Sequence, residues 1–190
     1  MTPDMDWKTL EETCRGCTAC PLAATRKNVV FGVGNPAAEV LFVGEGPGAN
    51  EDEQGEPFVG RAGQLLDKMI AAMGLSREEV YITNVVKCRP PQNRAPEADE
   101  AAACMPYLRA QVGLIRPQII VLLGASALGA VLGHEHRITK ERGLWVERKG
   151  VAFMPTFHPA ALLRDESKKR LVWEDLKKVR DRLNATGNPS

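Results

Sequence analysis

The strongest constraint on this chain is the spacing of its apolar runs. Four short runs, Val40–Val43, Val80–Val86, Ile119–Leu123 and Val151–Phe157, are rich in Val, Ile, Leu and Phe. Runs this short and continuous read as strands buried on both faces. Stretches of helical period lie between and after them. Arg61–Met73 puts Leu65, Leu66, Met69, Ile70 and Met73 on one face and stops at Gly74. Glu97–Leu114 follows Pro96 and carries acidic residues in its early turns, where the helix dipole favours them. Ala125–Leu132 is short and ends at Gly133, and Asp165–Leu183 carries Leu171, Val172, Leu176, Val179 and Leu183 as its apolar stripe. Strand alternating with helix predicts an α/β fold, a three-layer αβα sandwich around a four-stranded, mainly parallel central sheet. A length of 190 residues suits one domain over 1–190, with a loose tail at 185–190.

Charge narrows the functions. Lys and Arg number 25 against 24 Asp and Glu, a net +1, which excludes a strongly basic nucleic-acid coat but not a local basic patch. No apolar stretch approaches the roughly 18 residues of a membrane span. The first residues are polar and acidic, unlike an export signal, so a cytoplasmic protein is expected.

The five cysteines sort unevenly: Cys14, Cys17 and Cys20 form a C-x-x-C-x-x-C-P run, while Cys88 and Cys104 lie far downstream. An odd number without an export signal argues against a disulfide framework and for thiolates around a soft metal. Zinc and an iron–sulfur cluster both suit four thiolates. The wide gap between Cys88 and Cys104 leans toward iron–sulfur, and a merely buried Cys104 stays open.

In open α/β sheets, ligands bind beyond the carboxyl ends of the strands. The residues there are Gly44-Glu45-Gly46-Pro47-Gly48, then Thr83-Asn84, then Gly124-Ala125-Ser126, then Phe157-His158-Pro159. The first turn resembles a phosphate loop but carries Glu45, with Glu51, Asp52, Glu53 and Glu56 close behind, and these would repel phosphate. Taken singly, each residue also suits an ordinary role: a solvated loop acid, a backbone-bonded Asn, a structural His. Their coincidence at four strand ends points to one shared cleft.

These segments carry a resemblance. GEGPG, GEPFVGRAGQLLD, VYITNVVKCRPPQNRAP and FHPAALLR resemble, in order, the motifs of the family 4 uracil-DNA glycosylases, the iron–sulfur members of their superfamily. The likeness runs from about Cys17 to the final helix. It implies a DNA-repair enzyme that flips uracil out of DNA and hydrolyses its N-glycosidic bond. It implies a 4Fe–4S cluster on Cys17, Cys20, Cys88 and Cys104, with Cys14 spare. It implies Phe58 as the stacking face, Asn84 as the reader of the uracil edge and His158 as donor to the leaving oxygen. Glu45 matches the water-holding carboxylate, Glu51 a second one, and the backbone at Gly46 helps position that water. Leu162 matches the wedge that enters the vacated stack. Ser126 and Arg164, with Lys87, Arg89 and Arg94, are candidate phosphate contacts. Relatives that trap uracil covalently carry a basic insert with a histidine after the T-N-V-K motif. This chain has CRPPQNRAPEADE there, so trapping is not expected. The implied partner is uracil-containing DNA, single- or double-stranded, met by a monomer. Two other classes stay open at this stage: a non-catalytic DNA binder on the same fold, and an iron–sulfur redox protein.

Overall fold

The computed structural model describes residues 5–187. Three helical segments precede or flank the first strands: α1 (Trp7–Arg15), α2 (Ala49–Gln54) and α3 (Arg61–Ala72). The apolar runs form the middle of the sheet. Strands β2 (Val40–Gly44), β3 (Tyr81–Asn84), β4 (Ile119–Leu123) and β6 (Val151–Thr156) lie parallel in the order β3-β2-β4-β6. Their register sets Val43 beside Thr83 and Leu122, and Leu123 beside Thr156. The four carboxyl ends therefore come out level, at one rim.

Among the described residues the sheet has six strands rather than four. Two short antiparallel strands complete it, β1 (Val33–Gly34) against β3 and β5 (Val146–Arg148) against β6. β1 has only two residues, one of them glycine, and β5 reads Val-Glu-Arg. Neither carries the apolar run that marks a buried strand.

Alternation along each strand splits the core in two. Leu41, Val43, Ile120 and Leu122 face Leu10 and Cys14 of α1, Tyr107 and Leu108 of α4 (Ala98–Ile115) and Leu128 of α5 (Ala125–Leu132). Val40, Phe42, Val121 and Leu123 face Leu66 and Ile70 of α3, Leu162 of α7 (Pro159–Arg164), and Val172 and Leu176 of α8 (Lys168–Thr186). Helices thus cover both faces. A further short helix, α6 (Ile138–Glu141), leads toward β5. α8 continues through Thr186, so the segment expected to be loose from Ala185 starts as helix, and 188–190 lie outside the described residues.

Local chemistry fixes the helix ends. α3 stops at Met73, after which Gly74 adopts φ +81°, the left-handed conformation glycine reaches at no steric cost. α4 starts at Glu97, whose backbone N–H donates to the Glu100 carboxylate at 2.8 Å, a bond that satisfies an orphan helix donor. Buried Asp175 of α8 accepts from both Arg142 and the Thr156 hydroxyl, so this charge is paired and ties α8 to β6.

Candidate active site and cysteine-lined cavity

A cleft opens at the level strand ends. Gly46, Glu51, Phe58, Ala62, Gly63, Asn84 and His158 line it, and it holds about 260 Å³ counting its open mouth. Four strand-end and loop motifs separated by more than a hundred positions therefore meet in one pocket.

Asn84 ends β3 and is 2% exposed. Its Oδ1 is the one buried side-chain N or O atom without a hydrogen-bond partner among the described residues. An orphaned buried acceptor costs about 1–3 kcal/mol, so a ligand that donates there regains that energy. Gly44 leaves room for this arrangement. A Cβ on it would stand 2.5 Å from Asn84 Oδ1 and 2.6 Å from the tip of the Phe58 ring.

Phe58 is buried and adopts φ +53°, a strained backbone for an aromatic residue. Its surroundings hold it there. Arg77 donates to the Pro57 carbonyl and to Asp67. A Cβ at Gly63 would come within 1.9 Å of the Phe58 carbonyl oxygen, so only glycine fits. The Phe58 and His158 rings lie 5.5 Å apart at 31°, forming two walls of the pocket.

His158 caps α7, and its Nδ1 accepts from the Ala160 N–H at 3.0 Å. A neutral ring with Nδ1 as acceptor carries its proton on Nε2. Burial, reinforced by nearby Arg164 and opposed by Glu51, pushes the imidazole down to about 4. His158 is therefore a neutral Nε2–H donor at neutral pH.

The two carboxylates separate. Glu51 accepts from the backbone N–H groups of Gly48, Val59 and Gly60 at 3.0–3.1 Å. It clamps the glycine-rich turn to the Phe58 segment, so most of its lone pairs are occupied. Glu45 lines the wider groove beside the pocket, with Gly46, Ser126, Arg164 and His158. Among the described residues its carboxylate accepts no hydrogen bond. The turn itself is held by Val85 N–H to Gly44 O at 2.9 Å and Val86 N–H to Glu45 O at 3.2 Å.

Two expected contacts land elsewhere, and a third lines the groove with its charge already engaged. Leu162 is 1% exposed and packs in the core beneath α7, so it is not free to enter a base stack. Its neighbour Leu163 is 40% exposed. Lys87 is 1% exposed and is no phosphate contact. Its ammonium donates to Thr83 Oγ1 (2.5 Å), the Asn84 carbonyl (2.8 Å) and Gln111 Oε1 (2.7 Å), and burial pushes its pKa down to about 8. Arg94 makes a two-pronged bond to Glu100, so its charge is already partnered. Lys168, missed in the sequence, lines the groove and sits 4.8 Å from the Phe157 ring. No pattern marks it, since it lies at the start of a charged helix.

A second cavity lies on the opposite face of β3. All five cysteines line it, with Arg26, Lys87 and Tyr107. Three sulfurs accept hydrogen bonds: Cys17 from Ala19 N–H (3.4 Å), Cys88 from Arg26 (3.5 Å) and Cys104 from Lys87 N–H (3.3 Å). Among the described residues, Cys14 accepts none. Burial pushes the Cys14 thiol up to about 12 and Cys88 up to about 11, and raises Cys104. A metal there would displace those protons. Among the described residues, no three Cys, His, Asp or Glu side chains converge on a single ion. A lone zinc needs its sulfurs about 2.3 Å from one point. Thiols lining one cavity, with N–H groups aimed at three of them, have the chemistry to hold a thiolate-bound group such as an iron–sulfur cluster.

Comparison with known proteins bears on this geometry. Residues 31–177 match the family model described as the uracil DNA glycosylase superfamily, and they hold the whole pocket and, of the cysteine cavity, Cys88 and Cys104. The chain belongs to that superfamily. Its relatives include the type-4 uracil-DNA glycosylase of Thermotoga maritima, 49% identical over 94% of this chain and 95% of that protein. The type-4 uracil-DNA glycosylase of Saccharolobus solfataricus is 44% identical over 93% of this chain and 86% of that one. The type-5 uracil-DNA glycosylase of Thermus thermophilus is more distant, 32% identical over 68% of this chain and 74% of that protein.

Proposed function

We infer that this superfamily member excises uracil from DNA in repair, as the names of its type-4 relatives say of them. The observation that carries the reading is the unpartnered, buried Asn84 Oδ1 between Phe58 and His158. A flipped uracil supplies what that atom lacks. Its N3–H donates to Oδ1, and its O4 accepts from the Asn84 amide. Cytosine has no proton on N3 and an amine in place of O4, so it would leave the orphan unpaired and set donor against donor. Phe58 supplies the stacking face.

Cleavage breaks the bond between the sugar C1′ and uracil N1. Negative charge develops on uracil O2, and the His158 Nε2–H is disposed to donate to it. A water oxygen then bonds to C1′, and the proton it loses passes through Glu45 or solvent to the departing uracil anion, leaving free uracil and an abasic site. Glu45, unpartnered at the groove edge, is the better carboxylate to orient that water and to face the cationic sugar. Glu51 acts by holding the turn. Ser126, Arg164 and Lys168 are assigned to the strand's phosphates, and the exposed Leu163 replaces Leu162 as the wedge.

Cys17, Cys20, Cys88 and Cys104 would hold a 4Fe–4S cluster, supported by their place in one cavity and by the hydrogen bonds to Cys17, Cys88 and Cys104. Such a cluster would supply a cross-link between the segment after α1, the segment after β3, and α4. The reading includes a monomer working in the cytoplasm. No described helix is long and apolar enough to cross a membrane.

The test is excision from a uracil-containing oligonucleotide under multiple turnover, developed with alkali. Strand breaks at uracil and none at cytosine are expected. Asn84→Ala should cost about two to three orders of magnitude in single-turnover rate. Asn84→Ala at the wild-type rate would overturn the assignment, and a wild type inert on uracil would overturn the function.

A further inference from the structure

The Lys87 ammonium is buried at 1% exposure, yet among the described residues no carboxylate stands within salt-bridge distance of it. Buried lysines are rare unless paired. Here three oxygens satisfy all three protons: Thr83 Oγ1, the Asn84 carbonyl and Gln111 Oε1. Two of those partners are fixed in turn. The Thr83 hydroxyl donates to the Phe31 carbonyl at 2.8 Å, and the Gln111 amide donates to the same oxygen at 2.9 Å. The result is a closed buried network joining β3, α4 and the Phe31 segment. It grips the backbone of the residue that reads the base. On its other side, Lys87 lines the cysteine cavity, where thiolates would supply the missing negative charge, and its own backbone N–H donates to Cys104 Sγ.

The structure assigns Lys87 as the positioning residue for Asn84: its ammonium fixes the Asn84 backbone from behind, so that the side-chain amide meets the base edge in one orientation. This rests on Asn84 as base reader. Asn84 needs such support, because among the described residues its Oδ1 has no partner to orient it. Among the described residues, the Lys87 ammonium hydrogen-bonds to no lining residue of the pocket except at that backbone carbonyl, so its effect must pass through Asn84.

The test is a double-mutant cycle on the iron-loaded, full-length protein, with Lys87→Met, Asn84→Ala and the pair. Two quantities are read: single-turnover excision at saturating enzyme, and inhibition by free uracil. Lys87→Met should cost about 100-fold in excision and about 10-fold in uracil affinity in the wild-type background. In the Asn84→Ala background it should cost less than about 3-fold in either. Melting curves and iron per chain report whether the variant is folded and loaded. A purely structural lysine would lower the melting temperature but leave the folded fraction's uracil affinity intact. It would also add its loss in full to that of Asn84→Ala; either result overturns the proposal. Should Lys87→Met fail to fold, Thr83→Val removes one ammonium acceptor at constant shape. It should then show the same coupling to Asn84 at reduced size, and no coupling overturns the proposal. Wild-type excision by Asn84→Ala alone would instead strike the reading of the site, and this proposal with it.

Discussion

His158 shows how much one hydrogen bond decides. The N–H of Ala160 occupies Nδ1, and that alone places the remaining proton on Nε2. Burial holds the folded imidazole near 4, well below its usual 6.5. The ring's contribution to stability is therefore fully present above pH 6.5 and is lost as pH falls toward 4. Catalysis follows the same sign. The neutral donor persists through the whole range from pH 8 to about 5, so single-turnover excision should show no acid limb near 6.5 assignable to this ring. Comparing the pH–rate profiles of the wild type and His158→Gln, whose amide can still donate, checks this. A limb near 6.5 in the wild type that vanishes in the variant would contradict it. A sequence displays the histidine but not its tautomer, which depends on a backbone N–H two residues on.

At the scale of elements, α7 decides which leucine is exposed, and so which one is proposed as the wedge. Leu162 and Leu163 are adjacent in sequence but about 100° apart around the helix. Leu162 turns into the core with Val172 and Leu176, and Leu163 turns outward. Leu163→Ala should lower uracil excision from duplex DNA about tenfold while leaving thermal stability nearly unchanged. Leu162→Ala should cost about 2–5 kcal/mol of stability, read by thermal melting, through the cavity it opens. The reverse pattern would return the wedge to Leu162. This is where the sequence was legible and where it was not. The four central strands and the long helices α3, α4 and α8 carry enough apolar period to be read directly. The identity of Asn84, Phe58 and His158 follows from motifs at strand ends. Helix α7 has only six residues, too few for its period to reveal which side faces the core. Lys87 was misread because lysine is ordinarily a surface residue, and nothing local announces the three oxygens that surround it. β1 and β5 escaped notice because an edge pairs through its backbone and needs no apolar signature.

At the scale of the whole molecule, the two cavities draw on neighbouring stretches of chain: Asn84 at the end of β3 lines the pocket, and Val86, Lys87 and Cys88 just beyond it line the cysteine cavity. The proposed cluster would stitch together the segment after α1, the segment after β3 and α4, adding to links such as the Val30 N–H bond to the Lys87 carbonyl and the Arg26 bond to Cys88. Loss of iron should lower the melting temperature and slow excision together. Cys20→Ser should lose most of its iron, whereas Cys14→Ser should keep it, read as iron per chain by metal analysis. Iron lost from the Cys14 variant and kept in the Cys20 variant would shift the ligand set by one cysteine.

The sheet's borders carry one more consequence. A parallel sheet that ended on β3 and β6 would offer a neighbour long, greasy rims of unpaired amides, the template on which chains stack into fibres. Here the outermost strands are a two-residue stub at one side and a Glu-Arg pair at the other. A copy approaching either rim finds too little backbone to zip onto, or a charge it must strip of water. The sheet's borders thus discourage edge-to-edge pairing without help from the net charge, which is only +1.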